Sequence, residues 1–230
     1  MDELVRYEQE GDVAVLRMDD GKVNVLGHAM IEALSAGLDR AEREAKVVLI
    51  LGRPGKFSAG FDLQELGGGP ARAEALLRSG FGLLTRIYGF PQPVVIGCSG
   101  HALAAGALLL LAADLRVGCE GPFKIGLNET AIGMYLPILP QVFAGDRIDS
   151  RFQTRATLLG EIFGPQAATE AGYLDLCVKA EVLEATALSR ATGLLQVAGP
   201  HFAKTKASVR DASIERIRST LDDDLARLSV

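Results

Sequence analysis

Two short segments rich in glycine and alanine follow stretches that read as buried strands. Residues 55–63 (GKFSAGFDL) come after a run of Val, Leu and Ile at 47–51, and residues 100–107 (GHALAAGA) come after the apolar stretch 93–98. Glycine allows the tight turns that such segments need. The unpaired N–H groups at the start of a helix attract negative charge. Two backbone donors from separate loops can therefore converge on one developing oxyanion.

A third segment, residues 125–133 (IGLNETAIG), adds a carboxylate. Glu129 lies among apolar residues, where loss of hydration raises a carboxyl pKa and suits it to proton transfer near neutral pH. Two donors and one such carboxylate are the minimal set for enolate chemistry beside a carbonyl. Each segment also has a structural interpretation: a plain strand-to-helix connection, a helix packed closely on a sheet, and a capping or exposed glutamate.

The hydrophobic pattern predicts the elements that would position these segments. Strands are expected at residues 5–7, 13–18, 47–51, 93–98 and 115–117, with a turn at Gly11-Asp12. Helices are expected at residues 28–44, 76–88, 102–113, 151–171, 183–195 and 208–228, and residues 52–69 are expected to form a loop. Strands that alternate with helices indicate an α/β fold with a mostly parallel sheet.

The C-terminal part of the chain is predicted to be all-helical. We divide the chain into an α/β core at residues 1–195 and a C-terminal helical region at residues 196–230. The helical region carries an apolar stripe formed by Ile214, Ile217, Leu221, Leu225 and Leu228. Such a stripe needs a covering surface, either this core or a neighbouring subunit.

Composition excludes several classes of protein. The net charge of −5 argues against a nucleic-acid binder, and the apolar run at residues 102–113 is too short to span a membrane. The acidic N-terminus lacks the plan of a signal or transit peptide, so a cytoplasmic location is expected. The three cysteines and three histidines are scattered, which fits neither a disulfide framework nor a metal site.

The same segments resemble the crotonase (enoyl-CoA hydratase/isomerase) superfamily from about residue 5 to about residue 200. The resemblance rests on ordered motifs at residues 57–63, 91–102, 100–118 and 167–177. It implies a crotonase-like fold, with a spiral β-β-α core and a helical C-terminal region. It also implies an acyl-CoA thioester substrate, with coenzyme A as part of the substrate and no further cofactor or metal.

The resemblance assigns a role to individual residues. The N–H groups of Phe61 and Ala105 correspond to the family's oxyanion hole, and Ala104-Ala105-Gly106 replaces its usual three glycines. The implied substrate-binding positions are Lys56, Ala59, Gly60, Phe61, Asp62, Leu63, Ala105, Gly106 and Leu108.

Leu108 occupies the position at which hydratases of the family carry a first catalytic glutamate, and Glu129 matches the second. The stretch around Glu129 is similar to that of Δ3,Δ2-enoyl-CoA isomerases, which keep one glutamate. One carboxylate can move a proton from C2 to C4, whereas water addition is best served by a pair. The expected function is therefore a 3- to 2-enoyl-CoA isomerase. The alternatives are a hydratase, another crotonase reaction such as hydrolysis or decarboxylation, and a non-catalytic acyl-CoA-binding protein.

The relatives also lead us to expect a homotrimer or a dimer of trimers. The CoA phosphates should meet a local basic patch despite the acidic total charge. The candidates are Lys22, Arg53 and Lys56 of the same chain, and Lys204 or Lys206 of a neighbour.

Overall fold

A computed structural model describes residues 3–228 and contains strands at all the predicted places. The strands in chain order are β1 (Val5–Glu10), β2 (Val13–Met18), β3 (Val25–Leu26), β4 (Val47–Leu51), β5 (Gly55–Ser58), β6 (Gly60–Phe61), β7 (Val94–Cys98), β8 (Gly100–Leu103), β9 (Leu115–Cys119), β10 (Ile125–Gly126) and β11 (Leu176–Val178).

The helices alternate with these strands up to β11 and then continue to the end of the described chain. They are α1 (His28–Glu44), α2 (Leu63–Leu66), α3 (Pro70–Tyr88), α4 (Ala105–Ala112), α5 (Ile138–Arg147), α6 (Pro165–Ala171), α7 (Leu183–Gly193) and α8 (Pro200–Leu228). Within residues 3–228, none of these helices combines the length and apolarity needed to cross a membrane.

The main sheet has six strands in the order β1-β2-β4-β7-β9-β11, and only the β1–β2 pair is antiparallel. Strand β4 is buried along its whole length, as its unbroken apolar sequence predicts. Alternate residues of β4 belong to two separate hydrophobic cores on the two faces of the sheet. Val48 and Ile50 pack on the side of α1, α3 and α4. The opposite face, on the side of α7, is packed by Val47, Leu49 and Leu51.

A second, three-stranded parallel sheet forms where the main strands end, in the order β10-β8-β5. Two predictions are wrong here. The expected loop at residues 52–69 contains β5, β6 and α2, and the expected helix at residues 102–113 begins only at Ala105. Residues 100–103 extend because they pair with strands on both sides, and this tertiary pairing overrides the helical propensity of the alanines.

The helix predicted at residues 151–171 is also interrupted. A short π-helical turn occupies residues 154–158, and α6 begins at Pro165. Between them, Phe163 leaves the helical path because it forms a bridge with Ile125, with N···O distances of 2.9 and 3.0 Å. The bridge ties this connection to β10.

Helix α8 packs against α3 and α5 of the same chain. In the predicted apolar stripe, Ile217 and Leu225 are buried, and Ile214, Leu221 and Leu228 pack against the core. Of the two expected covering surfaces, the core of the same chain is therefore the one that covers the stripe, and the stripe gives no support to an oligomer.

Candidate active site

The first and second glycine-rich segments contact each other at Gly60. This residue has a φ of 95°, and a Cβ built on it would lie 3.0 Å from the Leu103 carbonyl oxygen and 3.3 Å from the Ala105 nitrogen. Only glycine fits both the backbone conformation and this close approach. The backbone on either side of Gly60 is thus placed beside the N-terminus of α4.

The backbone of Phe61 is fixed from two sides. Strand β6 pairs with β3, which places Phe61 opposite Leu26, and the Phe61 ring packs against Phe81 with ring centroids 6.0 Å apart. The ring also occupies the space where a side chain at Gly80 would stand. Gly80 therefore lies inside α3 for a packing reason, because a methyl group there would displace Phe61.

Ala104 precedes the predicted donor of the second segment in a strained conformation, with φ 49° and ψ −122°. Its N–H donates to the Gly126 carbonyl at 3.0 Å, and its carbonyl accepts the N–H groups of Ala107 and Leu108 at 2.9 and 3.0 Å. The N–H groups of Ala105 and Gly106 lie in the first turn of α4, where a helix offers no internal acceptor.

Glu129 lies three residues after the Gly126 carbonyl that holds Ala104, so the third segment meets the second. Its Oε2 is buried without a hydrogen-bond partner. Burial raises the pKa of Glu129 above the usual carboxyl range, its own backbone N–H opposes the rise, and no neighbouring charge contributes. A carboxylate held this way is suited to accept and return a proton.

The turn that carries Glu129 is held by its neighbours. The Glu129 carbonyl accepts the Met134 N–H at 2.9 Å, and the Thr130 hydroxyl donates to the Thr157 carbonyl at 2.8 Å. Gly160 packs against this turn, since a Cβ there would lie 2.8 Å from that of Ala131. The π-helical turn and the Glu129 segment therefore support each other.

Two carboxylates, one in the first segment and one just after it, accept hydrogen bonds from the backbone. Asp62 caps α2 by accepting the N–H groups of Gln64 and Glu65 at 2.8 and 3.3 Å. Glu65 accepts the N–H of His28 at 3.2 Å and contacts the His28 ring. Among residues 3–228, Glu129 is the one carboxylate with a buried oxygen that lacks a partner.

The remaining predicted substrate-binding residues differ in exposure. Leu108 is 1% exposed within the fully buried α4, so its position is apolar as predicted. Leu63 is 77% exposed and Ala59 is also exposed, close to where the first two segments meet.

The basic candidates divide into two groups. Lys56 pairs in register with His101, whose pKa is lowered by burial and by the charges of Lys56 and Lys124. The sequence interpretation missed Lys124, because only the pairing of β5, β8 and β10 brings Lys56 and Lys124 to the two sides of His101. Arg53 donates to the Lys22 carbonyl at 3.1 Å and pairs with Asp19 at 3.4 Å.

Lys206 does not fit its predicted role. It is buried, and its ammonium group lies 2.6 Å from Asp114, so it is not available to a CoA phosphate. Lys204 is exposed on α8. In the described part of the chain, no group of three or more His, Cys, Asp or Glu residues is arranged to hold a metal ion.

Comparison with known families identifies the class of protein to which this arrangement belongs. The enoyl-CoA hydratase/isomerase family model matches residues 8–226. The chain belongs to the enoyl-CoA hydratase/isomerase family. This membership confirms the resemblance inferred from the four ordered motifs and, with the structural match below, the predicted crotonase-like fold.

Some similar proteins within the family are named isomerases, and others are named hydratases. Human mitochondrial enoyl-CoA delta isomerase 1 is 31% identical over 227 residues, which cover 96% of this chain and 75% of the human protein. A probable enoyl-CoA hydratase of Bacillus subtilis is 33% identical over 183 residues, covering 75% of this chain and 69% of that protein. The crystal structure of an enoyl-CoA hydratase/isomerase family protein from Pseudomonas syringae superposes with a TM-score of 0.95 at 37% identity, over 98% of each chain.

Proposed function

We propose that the chain is an enoyl-CoA isomerase, which moves a double bond from the 3- to the 2-position of an enoyl-CoA. The observation that carries this proposal is the isolation of Glu129. Its buried Oε2 has no partner, no other charge affects its pKa, and the Asp62 and Glu65 carboxylates that follow the first donor, Phe61, accept hydrogen bonds from the backbone. A single free carboxylate matches a reaction that needs one base and its conjugate acid.

In the proposed mechanism, the Glu129 carboxylate removes a proton from C2 of the 3-enoyl thioester. The C2–H electron pair becomes a C1=C2 double bond, and the thioester carbonyl electrons move onto oxygen. The backbone N–H groups of Phe61 and Ala105 donate to that oxyanion. Donors fixed before the reaction stabilise developing charge without the reorganisation that water would need.

The second half of the reaction returns the same proton at C4. The carbonyl re-forms, the C1=C2 pair shifts to C2=C3, and the C3=C4 pair takes the proton from the Glu129 carboxylic acid. The product is the conjugated 2-enoyl-CoA, and Glu129 is again a carboxylate. The raised pKa favours this cycle, because a strongly acidic carboxyl group would be a poor base.

The hydratase alternative draws support from hydratase-named relatives such as the Bacillus subtilis protein. Hydration is best served by a second carboxylate that activates the water, and the position for it holds Leu108, which is buried in an apolar helix. The same absence disfavours other crotonase reactions that need a second acid or base. Binding without catalysis would leave the cost of the unpaired Glu129 carboxylate unexplained.

For coenzyme A, we propose that the backbone from Ala59 to Leu63 meets the adenine and pantetheine portion, and that Lys56 with Lys124 meets a phosphate. Neither lysine forms an ion pair within the described residues. No cofactor beyond the CoA of the substrate is proposed.

We also propose a homotrimer or a dimer of trimers. Ile132, Leu158 and Leu159 are each more than 60% exposed, and the contact of Gly160 with Ala131 brings their segments together. An exposed apolar patch of this kind is typical of an interface. Light scattering at micromolar concentration that gave a monomer would refute the assembly.

The experiment that tests the function uses the wild-type protein with 3-enoyl-CoA and 2-enoyl-CoA of several chain lengths. We expect conversion of 3-enoyl-CoA to 2-enoyl-CoA to be much faster than hydration of 2-enoyl-CoA. Hydration at a rate comparable to isomerisation would show that Glu129 alone organises the water, and the hydratase assignment would then replace the isomerase one.

A further inference from the structure

Tyr173 is a buried tyrosine whose hydroxyl has no hydrogen-bond partner. The side chain is 0% exposed, and the hydroxyl oxygen is also buried. A buried hydroxyl without a partner is unfavourable, and phenylalanine would fill the same space without that cost. The hydroxyl therefore calls for an explanation beyond packing.

The backbone of Tyr173 is fixed by α6, and its ring packs against a residue that is bonded to the strand leading to Glu129. Gly172 turns the chain with a φ of 97°, and the Tyr173 N–H donates to the Ala168 carbonyl at 2.9 Å. The ring packs against Phe163 with centroids 5.8 Å apart. Phe163 in turn is hydrogen-bonded to Ile125 through both its N–H and its carbonyl. Tyr173 and the Glu129 segment are thus parts of one packed unit.

The hydroxyl end of Tyr173 is directed at this segment. It lies near the backbone of Leu127, two residues before Glu129, without reaching normal hydrogen-bond geometry. Burial first, and then the Glu129 carboxylate, raise the pKa of Tyr173, so the phenol stays protonated and able to donate at neutral pH. Among the described residues, no other charged group contributes to the pKa of either side chain.

We propose that Tyr173 is a positioning residue whose hydroxyl donates a hydrogen bond to the Glu129 carboxylate, directly or through one water, when the site is in its working arrangement. The Tyr173 hydroxyl is a buried donor without a partner, Glu129 Oε2 is a buried acceptor without a partner, and packing through Phe163 and Ile125 brings their segments together. The bond would hold one carboxylate oxygen and leave the other to move the proton between C2 and C4. This inference rests on the proposed isomerase role of Glu129.

The hydrogen bond has a measurable electrostatic consequence. A donor to the ionised carboxylate favours the charged form and holds the Glu129 pKa below the value that burial alone would give. Loss of the donor should therefore move the acid limb of the kcat/KM profile to higher pH, because a larger share of Glu129 is protonated. A hydrogen bond to a charged group predicts a shift of about one pH unit.

The first experiment compares Tyr173→Phe with wild type and with Tyr88→Phe as a matched control. Tyr88 is also buried, but its hydroxyl donates to Asp146 at 2.5 Å, on the side of the core that faces α8. We expect Tyr173→Phe to shift the acid limb upward by about one unit and to lower kcat several-fold at the wild-type optimum, and Tyr88→Phe to leave the limb in place. An unshifted limb for Tyr173→Phe, with or without a uniform loss of rate, would overturn the proposal.

The second experiment does not depend on catalysis. A carbon-13 NMR titration of side-chain carboxyl groups, with the Glu129 resonance assigned by its absence in Glu129→Gln, gives the Glu129 pKa directly. We expect a higher Glu129 pKa in Tyr173→Phe than in wild type, and equal values would overturn the contact. If Glu129→Gln keeps full activity while the shift is present, the proposed function fails and the contact stands.

Discussion

Two carboxylates in the interior of this chain have opposite surroundings. Asp114 accepts three donors: the Val94 N–H at 2.8 Å, the Lys206 ammonium at 2.6 Å and the Arg210 guanidinium at 2.9 Å. Glu129 has a buried oxygen with no donor at all. The comparison separates two uses of a buried charge, since partners make Asp114 a structural link and their absence leaves Glu129 available for chemistry.

The two carboxylates also lie at opposite ends of the same part of the fold. Asp114 binds the first residue of β7, whereas the chain leaving the other end of β7 forms β8 and the loop that contacts the Glu129 segment. Through Lys206 and Arg210, Asp114 holds α8 against the core. The structural and the chemical site can therefore be perturbed separately.

The largest expected effect is on stability, from Asp114→Asn. The change removes the anion and leaves Lys206 and Arg210 buried without it, which should cost about 3–5 kcal/mol of unfolding free energy. Urea unfolding measures the loss. Activity per folded molecule should stay close to wild type, and a stability change below about 1 kcal/mol would show that these ion pairs do not hold α8.

Glu129→Gln should have the opposite effects: it should lower activity and leave stability intact. Isomerisation should fall by about 10²-fold or more, the usual worth of a general base, with CoA-ester binding retained. The folded pKa of Glu129 is raised, so stability falls as pH rises through the interval between its unfolded and folded pKa values. The glutamine variant removes that loss and should be at least as stable as wild type at neutral pH.

Activity assays and urea unfolding of Glu129→Gln, with the exposed Glu120→Gln as control, check both expectations. A variant that kept its rate would remove Glu129 from the mechanism. A variant that lost several kcal/mol would show that Glu129, like Asp114, is mainly structural.

A smaller effect should appear in the pH dependence of stability. Burial lowers the pKa of Lys206 to about 8, although Asp114 opposes the change. Because the unfolded side chain holds its proton up to a pKa of about 10.4, this group makes stability rise with pH between about 8 and 10, by at most about 1.4 kcal/mol per pH unit.

Other groups also titrate in that range, so the test is a difference. Subtracting the pH profile of Lys206→Met from that of wild type should leave the rising contribution of Lys206. A flat difference between pH 8 and pH 10 would show that the ammonium group keeps an ordinary pKa beside Asp114.

The comparison of Asp114 with Glu129 also shows how far the sequence could go. The segments around Phe61, Ala105 and Glu129 could be picked out from the sequence, because each joins glycine or apolar residues to a strand end. In the structure the first segment contacts the second at Gly60, and the second contacts the third through the Ala104–Gly126 hydrogen bond. The buried strands were predictable for the same local reason. Their sequences are continuous runs of apolar residues, which few other elements require.

What the sequence did not reveal depends on contacts between distant residues. Lys206 reads as one more surface lysine, and only the approach of α8 to Asp114, 92 positions earlier, explains its burial. The strand at residues 100–103 has a helical composition and extends only because β5 and β10 lie on either side. Tyr173 gave no local signal, since its ring resembles any other core aromatic.

The smallest expected effect tests whether backbone strain at Ala104 lowers the stability of the protein, in addition to the unpaired Glu129 carboxylate. Ala104 has a φ of 49°, a conformation that costs a non-glycine residue about 1–3 kcal/mol. Ala104→Gly should relieve that strain, partly offset by about 0.4–1 kcal/mol of extra freedom in the unfolded chain, for a net gain of about 1 kcal/mol. Ala107→Gly, inside α4, is the matched control and should destabilise by about that amount, because glycine is unfavourable in a helix. The midpoint of thermal unfolding should therefore rise for Ala104→Gly and fall for Ala107→Gly.

The isomerisation rate of Ala104→Gly should stay near wild type, since the Ala105 N–H is retained. A drop in rate without a gain in stability would mean that the methyl group of Ala104 holds the loop against Gly60, and that the strain belongs to the mechanism rather than to the fold.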